Sequence, residues 1–338
     1  MSIIMTGGGT GGHLTIIKAV KEHLLDQELV YIGSTKGQDR AWFEEDEQFI
    51  STHFLPTQGV VNQGFLGKFK SIFMLIKATI KARKILKNSK AKVVFCVGGF
   101  SAAPTSFAAK TLGIPLVIHE QNGAIGSLNK LLRPYSKAFI SSYEADSPIQ
   151  AYPIKEEFFE KSRVREKIKT IIFLGGSQGA VAINKLALGL ASTLKDKNIK
   201  IIHQAGENNI EAVKKEYLAL CIEAEVFGFT TKLSDYMAEA DFAIARSGAS
   251  TLWELSAIAC PTLFIPYPYA AGDHQFYNAK FLVDQNLAWI MREKEIDIEE
   301  IIAILDENMS ERSQKLQSII KKDGALQIAN LLKNQSKC

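Results

Sequence analysis

No two of the four cysteines (Cys96, Cys221, Cys260 and Cys338) stand at CxxC spacing, and the first three lie in or beside apolar runs. That excludes a disulfide scaffold and predicts reduced, buried thiols of a cytosolic protein. No apolar stretch approaches the ~20 residues that a membrane span needs. The start, Met1-Ser-Ile-Ile-Met5, lacks the basic n-region and long apolar h-region of a signal peptide. No His/Cys/Asp cluster has metal-ligand spacing, so neither a structural metal nor a cofactor is expected. Short repeats and low-complexity segments are missing too. Net charge is only +4, so the placement of charge says more than its sum. Acidic residues are absent from Gln48 to His119, whereas Lys68, Lys70, Lys77, Lys81, Arg83, Lys84, Lys87, Lys90, Lys92 and Lys110 all lie there.

What is present is alternation. A chain of 338 residues with 46% hydrophobic content is long enough for two globular domains. Apolar runs at Ser2–Met5, Leu29–Ile32, Val93–Val97, Leu116–Ile118 and Ala138–Ile140 read as strands. Helix-like stretches such as His13–Leu25 and Ala102–Leu112 separate them. The pattern pauses near Tyr152-Pro153, then restarts with Thr170–Leu174, Ile199–Ile202, Ala243–Ala245 and Thr262–Ile265. Strands apolar on both faces, alternating with helices, predict two doubly wound α/β domains with parallel sheets. The expected divisions are 1–153, 154–310 and a helical end, 311–338.

Both halves open with a strand, a glycine turn and a helix. The first is Ile3-Ile-Met-Thr-Gly-Gly-Gly-Thr-Gly-Gly-His13 and the second Ile171-Ile-Phe-Leu-Gly-Gly-Ser-Gln-Gly-Ala180. Glycine lets backbone approach a ligand, and the helix start offers N–H groups and positive charge to a phosphate. The competing reading is a tight turn with no ligand. A third turn, Val97-Gly-Gly-Phe-Ser101, either holds substrate or merely closes. The first turn is no P-loop, since no Gly-Lys-Ser/Thr follows. A nicotinamide-binding turn wants an acid ending the second strand, yet none appears before Asp39.

In the second half, Asp241-Phe-Ala-Ile-Ala-Arg-Ser-Gly-Ala-Ser-Thr-Leu-Trp-Glu254 reads as strand, small-residue turn and helix. Ser247 or Ser250 is expected to cap that helix. Glu254 falls one turn in, where its carboxylate accepts bonds from ribose hydroxyls or simply favours the helix dipole. Pro266-Tyr-Pro-Tyr-Ala-Ala-Gly-Asp-His-Gln275 then forms a rigid loop at a strand end.

Thr6-Gly-Gly-Gly-Thr-Gly-Gly-His13, His119-Glu-Gln-Asn122, Gly175-Gly-Ser-Gln-Gly-Ala180, Arg246-Ser-Gly-Ala249 with Glu254, and Asp273-His-Gln275 resemble, in order and spacing, the MurG family. These N-acetylglucosaminyltransferases complete lipid II in bacterial peptidoglycan synthesis. The resemblance runs from the first residues to about Leu282. It implies two facing Rossmann-like domains with a cleft between them, the GT-B glycosyltransferase architecture. It implies UDP-N-acetylglucosamine as donor and undecaprenyl-linked lipid I as acceptor. It further implies a peripheral place on the cytoplasmic face of the inner membrane, roles in cell shape and division, and partners among cell-wall synthesis and division proteins. Carried over, Thr10, Gly11, Gly12 and Asn122 would touch the donor from the first domain. Ser177, the stretch Ala249, Ser250, Thr251, Leu252, Trp253 and Glu254, and Gln275 would hold it from the second. Two departures stand out. The family's hinge Asn-Pro-Val-Arg is here Tyr152-Pro-Ile-Lys155, so Lys155 would meet the diphosphate without the bidentate fork of arginine. Leu14-Thr-Ile16 replaces the usual aromatic and proline after Gly-Gly-His.

The implied chemistry is inverting displacement at the anomeric carbon. Attack by a hydroxyl requires a proton acceptor, and a neutral histidine suits. His13 at a helix start is the leading candidate, with a fixed hydrogen-bonding role as its alternative and His119 next in line. Rival functions are another UDP-sugar enzyme of the same architecture, such as a 2-epimerase, and a non-catalytic nucleotide-binding module. In the acid-free segment, Phe65, Phe69, Ile72, Phe73, Ile76 and Ile80 form a helical stripe beside lysines. It reads either as a core-facing helix or as a contact with an anionic membrane. Nucleic acid is a poor alternative, because no recognised binding module accompanies the basic face.

Overall fold

The structure, a computed structural model, describes residues 2–57, 65–176 and 179–337, and for 65–70 the backbone alone. The chain divides into two units, Met1–Ile154 with Asp323–Cys338, and Lys155–Lys322.

Unit 1 begins β1 (Ser2–Thr6), α1 (Gly11–Lys21), β2 (Glu28–Ser34), α2 (Asp39–Phe43), β3 (Phe49–Leu55) and α3 (Phe65–Asn88). It continues β4 (Val93–Cys96), α4 (Ala103–Leu112), β5 (Leu116–Glu120), α5 (Ser127–Leu132) and β6 (Ala138–Ser141). The strands pair in the order β3-β2-β1-β4-β5-β6, each pair parallel.

Unit 2 holds α6 (Glu156–Glu160), β7 (Thr170–Leu174), α7 (Val181–Asp196), β8 (Lys200–Gln204), α8 (Ile210–Ala219), β9 (Ala224–Phe227) and α9 (Leu233–Glu239). After these come β10 (Phe242–Ala245), α10 (Ala249–Ala257), β11 (Thr262–Phe264), α11 (His274–Val283), β12 (Trp289–Ile290), α12 (Ile298–Leu305) and α13 (Ser310–Ile319). Its order, β12-β11-β10-β7-β8-β9, is again parallel throughout. Each sheet is therefore a Rossmann arrangement whose order reverses between its first and fourth strands, the position where open α/β sheets bind ligands. The glycine turns follow β1 and β4 in unit 1, and β7 and β10 in unit 2, so they flank both switch points.

The inner strands β1, β4, β5, β7 and β10 are buried along their length, which is why they read as unbroken apolar runs. Strands β3, β9 and β12 escape the sequence pattern because they lie at sheet edges, with mixed or half-exposed residues. The end of the chain is divided. Helix α13 packs on α10, whereas α14 (Gly324–Lys337) returns to α1 of unit 1, burying Ala325, Ile328, Ala329 and Leu332. The segment read as a separate helical end, 311–338, is thus shared, because its second helix carries an apolar stripe that unit 1 covers. Cys96 and Cys260 are buried, but Cys221 is exposed. It sits at positive φ (53°) in the turn that leaves α8, outside the core that the sequence reading assigned to it.

Helix α3 inverts one expectation. Small Ala78 and Ala82, with Leu86, face the core of unit 1. Ile72, Phe73, Ile76 and Ile80 are 46–62% exposed on the opposite side. The stripe is not core-facing. Phe65, Phe69, Lys68 and Lys70 have side chains outside the described residues.

Candidate active site

In unit 1 the first glycine turn is clamped from two sides. Gly7, Gly8 and Gly9 all have positive φ. A Cβ on Gly8 would fall 2.5 Å from Asp39 Oδ1, and one on Gly9 would fall 2.7 Å from Phe100 of the Gly98-Gly99 turn. Buried Asp39 accepts the Gly9 N–H through Oδ1 and the Ser34 N–H, at 2.8 Å, through Oδ2. This carboxylate is occupied by backbone, so it is unsuited to the ribose role that a dehydrogenase would require. Tyr31, also buried, donates to Gly7 O at 2.9 Å. The sequence did not mark Asp39 and Tyr31 as supports of the turn, since nothing local pairs them with the glycines.

That rigid turn aims the start of α1. Thr10 is the exposed N-cap residue, and its Oγ1 lies 3.0 Å from His13 Nδ1. On the other side of the ring, Gln121 Nε2 lies 2.9 Å from His13 Nε2. Gln121 and Asn122 belong to a loop held by the buried Glu120. Its Oε1 accepts the Asn122 N–H at 3.0 Å, and its Oε2 accepts from Gly126 N at 2.9 Å and Asn129 Nδ2 at 2.8 Å. Thr10, Gly11, Gly12, His13 and the Gln121–Asn122 turn thus meet at the strand ends of one sheet. His119 does not join them at the surface. It is fully buried beside Tyr152 (ring centroids 5.6 Å), and its ring nitrogens have no hydrogen-bond partner among the described residues. Burial, aided by the charge of His13, pushes its pKa down to about 3.

In unit 2 the turn after β7 contains Ser177, which lies outside the described residues. The turn after β10 is complete. Its helix, α10, is capped by Gly248 in extended conformation, with no side-chain cap. The expected caps fail because Ser247 is buried with its carbonyl accepting from Asn278, and Ser250 lies inside the first turn. Leu252 and Trp253 face inward, so their backbone alone is available to a ligand. Ala249 is buried as well, whereas Ser250, Thr251 and Glu254 are half-buried. Burial pushes the Glu254 pKa up to about 7; Glu157 adds to the rise and Lys155 opposes it. Lys155 is the N-cap residue of α6, with Nζ 3.5 Å from Glu157 Oε1. The departure from arginine therefore still places a cation within electrostatic reach of Glu254.

The loop after β11 is braced by side chains. Gln275 Oε1 accepts from Tyr267 N at 2.9 Å. Arg246 donates to the carbonyls of Ile265 and Pro266, at 2.9 and 3.0 Å, and pairs with Glu293. Asp273 pairs with Arg292 at 2.6 Å. Arg246 was legible as part of a motif, but its bracing partner Glu293 comes from a distant helical turn and carried no local signal.

Both halves of the chain are similar to known proteins. Residues 3–141 match the glycosyltransferase family 28 N-terminal domain, and residues 170–334 match the family 28 C-terminal domain. A UDP-N-acetylglucosamine–N-acetylmuramyl-(pentapeptide) pyrophosphoryl-undecaprenol N-acetylglucosamine transferase of Sulfurovum sp. (strain NBC37-1) is 67% identical over 337 residues, covering 100% of both chains. Its namesake from Wolinella succinogenes is 51% identical, covering 98% of this chain and 99% of the relative. The crystal structure of Acinetobacter baumannii MurG is 27% identical with a TM-score of 0.79, covering 98% of this chain and 99% of that one. Matched in both halves and similar to such relatives from end to end, the chain belongs to the MurG family of glycosyltransferases.

Proposed function

We propose that the protein transfers N-acetylglucosamine from UDP-N-acetylglucosamine to the 4-hydroxyl of N-acetylmuramic acid in lipid I, with inversion, forming lipid II. The observation that carries this reading is the 67% identity over the whole chain to a transferase of that name. The acceptor oxygen attacks the anomeric carbon, the bond to the diphosphate breaks, UDP leaves and His13 takes the hydroxyl proton. Thr10, Gly11, Gly12 and Asn122 serve the donor from unit 1. From unit 2, Ser177 and the N-terminal backbone of α10 receive the diphosphate, where N–H donors stabilise growing charge. Lys155 adds positive charge, Glu254 takes the ribose hydroxyls and Gln275 the sugar. Incubation with UDP-N-acetylglucosamine and a short-chain lipid I analogue should yield the disaccharide product and UDP, with the donor unchanged when acceptor is omitted. Epimerised donor without acceptor would point to the 2-epimerase reading, and binding without turnover to a nucleotide-binding module.

The same proposal places the protein on the cytoplasmic face of the inner membrane, near cell-wall synthesis and division partners. No helix among the described residues is long and apolar enough to cross a membrane. The exposed Ile72, Phe73, Ile76 and Ile80 flank Lys77, Lys81 and Lys84, a pairing suited to an anionic leaflet. Each lysine contributes roughly 1 kcal/mol there, and apolar burial adds a part that salt does not screen. In vesicle sedimentation, binding should require anionic lipid and weaken as salt rises. Reversing Lys77, Lys81 and Lys84 to glutamate should abolish it and leave UDP binding intact. Equal binding to neutral and anionic vesicles would overturn the electrostatic contact.

A further inference from the structure

We infer that Gln121 is a positioning residue that holds His13 through Nε2 and so directs the acceptor's proton to Nδ1. This rests on the reading of His13 as general base. The two ring nitrogens face different surroundings. Nδ1 lies toward Thr10, an exposed residue at the start of α1, and Nε2 lies toward Gln121, which is 6% exposed. An acceptor hydroxyl can reach the Thr10 side, where it replaces or joins the threonine hydroxyl. The Nε2 side is closed by Gln121 itself.

Gln121 is held firmly enough to act as a guide. It follows β5 directly, next to Glu120, whose two oxygens take up the amides of Asn122, Gly126 and Asn129. Both ends of the Gln121 amide suit the ring in turn. As placed, its NH₂ faces an Nε2 lone pair, the match to an Nδ1–H ring, and leaves Oε1 buried. A half-turn about its last torsion brings Oε1 to an Nε2–H instead, and the base-competent tautomer needs that turn. Oε1 has no other partner among the described residues. Once His13 has taken a proton, both nitrogens are donors, and only the Oε1 orientation fits. Before that, an Nδ1 lone pair requires the proton on Nε2, which the same orientation favours. Gln121 therefore orients its histidine as a carboxylate orients the histidine of a serine hydrolase, but without charge. Neighbouring titratable groups leave that role to it. His119, from β5, is held neutral by burial, and the Glu120 carboxylate is turned to its amides.

Nitrogen-15 long-range spectra of the full-length enzyme read the His13 tautomer directly, with Gln121→Leu and Gln121→Glu as comparisons. The wild type should show Nε2–H with Nδ1 unprotonated. Gln121→Leu should lose that preference and lower kcat about 10- to 100-fold, as when the partner orienting a functional histidine is removed, with the donor KM unchanged. Gln121→Glu should restore the tautomer and move the acidic limb of the kcat–pH profile to higher pH. An Nδ1–H tautomer in the wild type, or a folded Gln121→Leu enzyme with unchanged tautomer and kcat, overturns the inference. A tautomer that follows Gln121 while turnover follows neither variant removes His13 as the base and leaves its positioning intact.

Discussion

His13→Ala lowers turnover by about 10²–10⁴, the usual contribution of a positioned base, with donor affinity little changed. The acidic limb of the turnover–pH profile disappears in the same variant, because the group whose protonation stops the reaction is gone. The structure narrows what could compensate. His119 is fully buried and its pKa is pushed down to about 3, so it is both out of reach and weakly basic. Steady-state kinetics across pH, with fluorescence titration of UDP-sugar, checks both parts. A folded variant that keeps near-normal turnover and the same acidic limb removes His13 from proton transfer.

Glu254→Ala should cost roughly 1–3 kcal/mol of donor affinity through lost ribose bonds. The raised pKa of Glu254, about 7, adds a pH dependence. Ribose hydroxyls donate to the ionised form, so binding favours carboxylate. Calorimetry should therefore find wild-type donor affinity about tenfold weaker at pH 6 than at pH 8, following the ionised fraction, with proton release on binding. Lys155→Ala should move this step upward, because Lys155 is the group that opposes the rise. Stability runs the other way. Between the ordinary value, 4.5, and about 7, the unfolded chain sheds this proton and the folded one keeps it. Native stability therefore falls as pH rises through that window, by at most about 3 kcal/mol. Glu254→Gln should raise the melting temperature at pH 8, have little effect near pH 4, and weaken the donor. Donor affinity that does not change would take Glu254 out of the ribose site, and a loss of stability at pH 8 would contradict its raised pKa.

What sequence made legible follows burial. β1, β4, β5, β7 and β10 are enclosed on both faces, so their whole lengths are apolar and visible as runs. β3, β9 and β12 border solvent and lost that signal. The glycine turns were readable because the backbone requirement is local. Their supports were not. Asp39 reaches Gly9 across 30 residues, and Gln121 reaches His13 across 108. Such partners are fixed by which strand neighbours which, and no window of sequence contains that. Exposure of the α3 stripe was equally hidden. An apolar spacing of three and four residues looks the same whether it faces a core or a bilayer, and only Ala78 and Ala82 on the inner face decide between them.

The return of α14 sets an order in time. A Cβ on Gly324 would fall 2.5 Å from Ala151 O and 2.6 Å from Tyr152 O, so the helix starts hard against the end of the segment that it completes. Lys333 reaches Asp26 at 2.7 Å, close behind α1. On the ribosome, residues up to Ile154 emerge with the apolar face that α14 covers still open. All of unit 2 has to be synthesised before α14 can cover that face. A growing chain usually closes its leading domain first. Here the unit that carries His13 is begun before unit 2 and completed after it.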